Sequence, residues 1–108
     1  MITDKVNFGS IEFIELCKSH KVKELYAFGS VVNGNFNDNS DVDLLVDINE
    51  NDPLTRGELL LSIWDKFENY FCRKVDLLTY NSLKNPYLKE SIDNTKKLIY
   101  SGSKAEIL

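Results

Sequence analysis

The sequence predicts a single α/β (α+β) domain in which helices pack on a small mixed sheet. Two observations lead to this fold class. Stretches with helical spacing of apolar residues alternate with short apolar runs, and the 108 residues are close to the commonest size of a domain. The hydrophobic fraction of 43% and the charged fraction of 28% are those of an ordinary folded protein. We therefore expect residues 1–108 to form one domain with one core.

Eight elements are predicted, with helices and strands in alternation. Ser10 can cap the first helix and Asn85-Pro86 can open the last one, because a polar side chain accepts from free N–H groups and proline fits a first helical turn. Thr55 and Glu58 have the spacing of a capping box, which predicts where the longest helix begins. The elements are a helix over Ile11–His20, a strand over Lys23–Phe28, a helical turn over Ser30–Asn33, a strand over Val42–Ile48, a helix beginning near Thr55, a strand over Lys74–Tyr80, a helix of about two turns from Pro86 and a strand over Lys97–Tyr100.

One wide apolar face runs along the predicted long helix. Its residues recur at spacings of three and four, the period at which side chains fall on one side of a helix. They are Leu60, Ile63, Trp64, Phe67 and Phe71. We interpret this face as the contact of the helix with the core rather than as a surface that stacks a ligand.

Three residues with reactive side chains are interpreted as structural. Cys17 and Cys72 lie far apart without a C-x-x-C pair, so both are expected to be buried thiols rather than a disulfide or metal ligands. His20 is the only histidine, and no serine or cysteine motif requires it. We expect it on the surface at the end of the first helix, where a cation is favourable.

The charge balance limits the partners of the chain. A net charge of −4 and a pI of about 4.9 argue against nucleic acid as the main partner, because such binding is built mostly from Lys and Arg. No apolar run is long enough to span a bilayer, and the first residues lack a signal-peptide pattern. We therefore expect a cytoplasmic protein with no membrane partner, and self-association into a homo-oligomer is left open.

Three carboxylates stand at the beginnings of two predicted strands. Asp41 and Asp43 are separated by one residue and so project to the same side of the second strand, and Asp76 begins the third strand. If these strands pair side by side, the carboxylates can converge on Mg²⁺, with Mn²⁺ as the alternative, because no His or Cys is nearby. Such a cluster suits two metal ions that assist phosphoryl displacement. A D-x-D motif alone, however, is more often a turn that caps a strand.

A Gly-Ser pair follows the first predicted strand. Gly29 permits a close approach of the backbone, and Ser30 opens a helical turn whose N–H groups and hydroxyl can hold phosphate oxygens. Gly34 releases the chain into the following loop. Neither a P-loop G-K-[ST] nor a G-x-G-x-x-G is present. Alone the pair is more often a plain turn, and it gains weight from its fixed distance to the D-x-D motif.

Together these motifs resemble the nucleotidyltransferase superfamily related to DNA polymerase β. Its signature is a helix-opening Gly-Ser, a D-x-D on the next strand and a third carboxylate on a later strand. In this chain these are Gly29-Ser30, Asp41-Val42-Asp43 and Asp76. From about Lys21 to Tyr100 the chain is similar to the minimal nucleotidyltransferases (MNT) of that superfamily. The resemblance implies the nucleotidyltransferase fold, which is like the palm of polymerase β.

The resemblance also implies an activity, in which AMP is transferred from ATP to a hydroxyl group and pyrophosphate leaves. Asp41 and Asp43 would ligate both of two Mg²⁺ ions. Asp76 would ligate the catalytic ion and help to deprotonate the incoming hydroxyl. The nucleotide-binding residues implied by the motif are Gly29, Ser30, Asn33 and Gly34, of which the first two would hold the β- and γ-phosphates.

The family resemblance implies a protein partner as well. Many MNT proteins are antitoxins that bind and adenylylate a HEPN-domain toxin, so a HEPN-domain partner is expected. Asn33 stands where relatives often have an arginine, so the chain offers a hydrogen-bond donor there and not a charge. Two alternatives stay open for this reason: a non-catalytic antitoxin that acts by contact alone, and an adenylyltransferase for a small molecule.

Overall fold

A computed structural model describes residues 7–34, 36–37 and 39–102 of the chain. In chain order its elements are α1 (Ile11–Ser19), β1 (Val22–Phe28), α2 (Ser30–Asn33), β2 (Val42–Ile48), α3 (Pro53–Phe71), β3 (Val75–Leu78), a short 3₁₀ turn (Tyr80–Ser82), α4 (Pro86–Thr95) and β4 (Lys97–Ser101). The predicted alternation of helices and strands is confirmed. None of the helices in these ranges is long and apolar enough to cross a membrane.

The four strands form one mixed sheet in the order β3-β2-β1-β4. β1 is antiparallel to both β2 and β4, whereas β2 and β3 are parallel. A parallel pair needs a long crossover, and α3 supplies it between β2 and β3. The predicted mixed sheet is confirmed, and the parallel pair brings the beginnings of β2 and β3 to the same edge.

The beginnings of the helices follow the polar residues before them, with one correction. Ser10 Oγ accepts from the N–H of Phe13 at 3.0 Å and caps α1, as predicted. The long helix α3 begins at Pro53 rather than near Thr55, because Asp52 is its cap and accepts from the N–H of Thr55 at 3.0 Å. The predicted capping box is therefore wrong: Thr55 lies inside the first turn and donates its hydroxyl to Asp52.

The main core lies between one face of the sheet and the helices α1 and α3. Phe13 of α1 stacks on Phe67 of α3 with ring centroids 5.4 Å apart. The predicted apolar face of α3 is confirmed, since Ile63 and Phe67 are fully buried and the other three members of that face pack partly buried against the core. Alternate residues of β2 complete this core: Val42, Leu44, Val46 and Ile48.

The opposite face of the sheet carries the end of α4. Leu45 is buried on this face, and Tyr26 of β1 is its neighbour across the strands. The ammonium of Lys96 lies 4.4 Å from the ring centroid of Tyr26 and 4.8 Å from that of Tyr80. Because Leu45 and Asp43 are two residues apart on β2, Asp43 projects from this same face.

Two of the residues interpreted as structural are placed differently from the prediction. His20 is 7% exposed rather than on the surface, because its Nε2 is 2.9 Å from Ser62 Oγ and its Nδ1 is 2.8 Å from the carbonyl of Leu16. Cys17 is buried as expected, and burial raises the pKa of its thiol to about 12. Cys72, which ends α3, is exposed, so the expectation of a second buried thiol is wrong.

Candidate functional site

The register of the sheet brings two of the predicted carboxylates together. Asp43 of β2 lies directly beside Asp76 of β3 in the parallel pair. On its other side Asp43 pairs with Phe28, the last residue of β1. Residues that lie opposite each other on neighbouring strands share a face, so Asp43 and Asp76 project together from the face that carries α4. The condition set by the sequence, that the third strand pairs beside the second, is met.

The ionised form of Asp43 is unfavourable beside Asp76 when no cation is bound. Burial is the largest cause that raises the pKa of Asp43, from 3.8 to about 6. The charge of Asp76, a side-chain hydrogen bond with Asp76 and the charge of Asp41 raise it further. Like charges that share a site disfavour one another's ionised form, and a cation between them reverses the effect. The site therefore has the electrostatics of a cation-binding site.

The Gly-Ser turn touches the same carboxylate. Gly29 has φ 71° and ψ −146°, close to a region that essentially only glycine occupies. A Cβ atom at this position would overlap Oδ2 of Asp43 and lie 3.3 Å from its Cγ. Only a residue without a side chain can therefore bring the backbone so close to Asp43. The turn and the carboxylates, which are separate motifs in the sequence, lie at one corner of the fold.

The short helix α2 continues from this turn. Ser30 is its first residue, and the N–H of Val32 donates to the carbonyl of Gly29 at 3.0 Å. Gly34 ends the helix with φ 89° in the left-handed region, as its predicted role in releasing the chain requires. The backbone of Asn33 belongs to α2, whereas its side chain lies outside what the structure describes.

Asp41 lies beside the site, at the end of a loop that Arg73 contacts. It is half-buried and immediately precedes β2. The Nη1 atom of Arg73 donates to the carbonyl oxygens of Asn37 at 3.1 Å and Ser40 at 3.0 Å. Arg73 was not among the residues predicted for the site. Its position three residues before Asp76 is the signal that could have suggested a contact with the site.

The residue types of the site suit a metal ion, but their side chains are not arranged around a common metal position. Across residues 7–34, 36–37 and 39–102, no group of three or more Asp, Glu, His or Cys side chains is arranged so that it could hold a metal ion. Asp43 and Asp76 are in contact, whereas Asp41 acts on Asp43 only through its charge. The donor set consists of carboxylate oxygens, which suit Mg²⁺ or Mn²⁺. A metal site that includes all three carboxylates therefore needs the Asp41 side chain closer to the other two.

Comparison with known proteins adds to this picture. The sequence pattern of a family described as "Polymerase beta, Nucleotidyltransferase" matches residues 12–105. A candidate protein adenylyltransferase of Methanocaldococcus jannaschii is 39% identical over 90 residues, which cover 80% of this chain and 83% of that protein.

Two solved structures share the fold. A chain from a toxin–antitoxin complex with AMP-PNP is similar with a TM-score of 0.65 and 24% identity, covering 94% of this chain and 80% of that chain. A chain from the complex of a tri-AMPylated Shewanella oneidensis HEPN toxin with an MNT antitoxin is similar with a TM-score of 0.51 and 20% identity, covering 88% of this chain and 71% of that chain. Identities this low establish likeness of fold alone.

Proposed function

This chain belongs to the polymerase beta nucleotidyltransferase family, and we propose that it transfers AMP from ATP to a hydroxyl group of a partner protein. The observation that carries the proposal is the register of the sheet. It sets Asp43 beside Asp76 on one side and beside Phe28, the residue before Gly29, on the other. A turn suited to phosphates thus adjoins carboxylates suited to metal ions, which is the combination that nucleotidyl transfer needs.

Two divalent metal ions, Mg²⁺ in the cell, are part of the proposal. Asp41 and Asp43 would hold both ions, and Asp76 would help to hold one of them. Such ions would neutralise charge on the triphosphate and lower the pKa of the acceptor hydroxyl. The raised pKa of Asp43 supports this assignment, because the carboxylates are poorly compensated by the protein alone.

The chain's own residues have distinct roles in the proposed reaction. Gly29 and Ser30 hold the β- and γ-phosphates through backbone N–H groups and the hydroxyl, and Asn33 and Gly34 complete the nucleotide site. The acceptor oxygen bonds to the α-phosphorus of ATP while the bond from that phosphorus to the bridging oxygen breaks. Pyrophosphate leaves with the electron pair, and Asp76 takes the proton of the acceptor hydroxyl.

The proposed acceptor is a tyrosine hydroxyl on a HEPN-domain toxin, which makes this chain the antitoxin of a pair. The support comes from similar proteins. One relative is named as a candidate protein adenylyltransferase. A chain with the same fold was solved in a complex of an AMPylated HEPN toxin with an MNT antitoxin. The net charge of −4 also argues against a nucleic-acid acceptor.

The experiment uses the co-purified partner, Mg²⁺ and ATP labelled at the α-phosphate. We expect the label on the partner with the wild type and its loss with Asp41→Asn and with Asp43→Asn. Asp76→Asn should slow transfer much more than it weakens ATP binding, because Asp76 acts on the acceptor. Equal labelling by the Asp43→Asn variant and the wild type would rule out the catalytic assignment.

One alternative has a specific observation in its favour. Asn33 carries no charge where relatives often have an arginine, which supports a non-catalytic antitoxin that blocks its partner by contact. In that case the Asp41→Asn variant should neutralise the partner as well as the wild type does, with no label transferred by either protein. Transfer to a purified aminoglycoside or other small hydroxyl compound would instead favour the small-molecule enzyme.

A further inference from the structure

We propose that Arg73 is a positioning residue that sets Asp41 relative to Asp76 by holding the loop before β2, an inference that rests on the proposed function. Asp41 must approach Asp43 and Asp76 to share a metal ion with them, yet it lies on the loop side of the strand boundary. The strand register fixes Asp43 and Asp76 but not Asp41. Something outside the sheet has to fix its place.

Arg73 makes three contacts with the segment that leads to Asp41. Its Nη1 atom donates to the carbonyls of Asn37 at 3.1 Å and Ser40 at 3.0 Å. Its guanidinium carbon lies 4.5 Å from the centroid of the Phe36 ring, and Phe36 is itself 8% exposed. The Arg73 side chain therefore contacts both Phe36, which packs in the core, and Ser40, which is the residue before Asp41.

Hydrogen bonds within the loop connect the residues that Arg73 contacts and so extend its effect to the neighbour of Asp41. The N–H of Ser40 donates to the carbonyl of Asn37 at 3.0 Å, and the N–H of Asn37 donates to Ser40 Oγ at 3.0 Å. These two hydrogen bonds join Asn37 to Ser40. Arg73 donates to the carbonyls of both residues, so it holds the two together rather than one of them alone.

Both neighbours of Asp41 are anchored to the segment that carries Asp76. Ser40 is held by Arg73, and the N–H of Val42 donates to the carbonyl of Lys74 at 3.0 Å. Arg73 and Lys74 are consecutive and lead directly into β3. These two contacts therefore restrain the position of Asp41 relative to Asp76.

The contacts favour arginine over other residues for geometric reasons. A planar guanidinium can donate in its plane and stack on a ring at the same time, which an ammonium cannot do. Arg73 makes both kinds of contact, through Nη1 to two carbonyls and through its guanidinium plane to the Phe36 ring.

The test compares Arg73→Met and Arg73→Lys with a matched control, Arg56→Met. Arg56 also donates through Nη1 to a backbone carbonyl, that of Glu50 at 3.0 Å, but at the beginning of α3. The first readout is the exchange rate of the Ser40 amide, and the second is the affinity for Mn²⁺ measured by electron paramagnetic resonance. Neither readout requires an acceptor.

For Arg73→Met we expect Ser40 amide exchange to be about tenfold faster and Mn²⁺ binding about tenfold weaker, as the loss of two hydrogen bonds suggests. Arg73→Lys should fall between this variant and the wild type, because it keeps the charge but not the planar contacts. Arg56→Met should match the wild type in both readouts, whatever its melting temperature.

Mn²⁺ affinity in Arg73→Met equal to that of the wild type would overturn the positioning role, and so would a loss shared equally by Arg56→Met. Mn²⁺ binding by the wild type without any AMP transfer would contradict the proposed function while leaving the result for Arg73 in force. A wild type that binds no Mn²⁺ would overturn both.

Discussion

The close approach of Gly29 to Asp43 makes Gly29→Ala the sharpest perturbation of the site. The substitution adds one methyl group and no charge. It acts on the backbone of Gly29, whose φ is 71°, and on the carboxylate that the new Cβ would overlap. The two effects can be separated, because one belongs to the turn and the other depends on the side chain at position 43.

The magnitude of each effect follows from the geometry. A side chain in a backbone region that glycine alone occupies costs about 1–3 kcal/mol in the free energy of unfolding. The overlap with Oδ2 adds to this unless the Asp43 carboxylate turns away, and its Cγ lies only 3.3 Å from the new Cβ. A displacement of about 1 Å at a catalytic group can reduce a rate by about a hundredfold.

Gly34→Ala is the matched control. Gly34 also has a positive φ, 89°, but no atom lies within 4 Å of the position that a Cβ would take. Its backbone cost is about 1–2 kcal/mol, without a clash. Urea unfolding and the transfer of labelled AMP should be measured on both variants. We expect both variants to lose stability, and Gly29→Ala to lose at least tenfold of the wild-type transfer rate; Gly34→Ala is the control for stability only, because Gly34 is itself part of the proposed nucleotide site.

A double-mutant cycle tests the reasoning about the clash. In an Asp43→Ala background the Oδ2 and Cγ atoms are gone, and the remaining Cβ at 3.5 Å is in ordinary contact. Gly29→Ala should then cost at least about 1 kcal/mol less than in the wild type. Equal costs in the two backgrounds, or a folded Gly29→Ala protein with the wild-type transfer rate, would refute the account of this contact.

Three further predictions concern stability and reactivity. The pKa of Asp43 is about 6 in the folded protein and 3.8 in the unfolded chain, so the folded state binds the proton more tightly and stability rises as the pH falls from above 6 towards 4. In the absence of metal, Asp43→Asn should therefore raise the free energy of unfolding at about pH 8 by about 1 kcal/mol, after allowance for partial exposure. Near pH 4 it should give no gain. An equal gain at both pH values would show that the charge of Asp43 is not the cause. Gly57→Ala, at the fifth residue of α3 with nothing within 4 Å of the new Cβ, should raise the free energy of unfolding by about 0.5–1 kcal/mol, and a loss in urea unfolding would show an unrecognised contact. A disulfide reagent should label the exposed Cys72 in the native state and the buried Cys17 only after unfolding, and rapid labelling of both would contradict the placement of Cys17.

Much of the fold could be predicted because its signals are local. The apolar face of α3 could be predicted from spacing alone, and it was confirmed. The errors have tertiary causes. His20 is buried because Ser62 of α3 packs against its ring, a contact 42 residues away in the chain. The beginning of α3 was misplaced because Asp52 with Pro53 formed a stronger start than the capping box.

The site likewise has parts that could be predicted from the sequence and parts that could not. The carboxylates and the Gly-Ser turn could be found because residue type and strand position are visible in the sequence. Their meeting point could not, since it depends on the register that pairs Asp43 with Asp76 and Phe28. The contact of Gly29 with Asp43 and the hold of Arg73 on the loop also depend on the completed fold.

The most direct test of the central claim, nucleotidyl transfer at Asp41, Asp43 and Asp76, compares two labels on ATP. The co-purified partner is incubated with Mg²⁺ and the wild type, once with label on the α-phosphate and once on the γ-phosphate. The account predicts that the α-label is retained on the partner while the γ-label is released in pyrophosphate, and that Asp43→Asn abolishes both results. Retention of the γ-label, or of the α-label with Asp43→Asn, would contradict it.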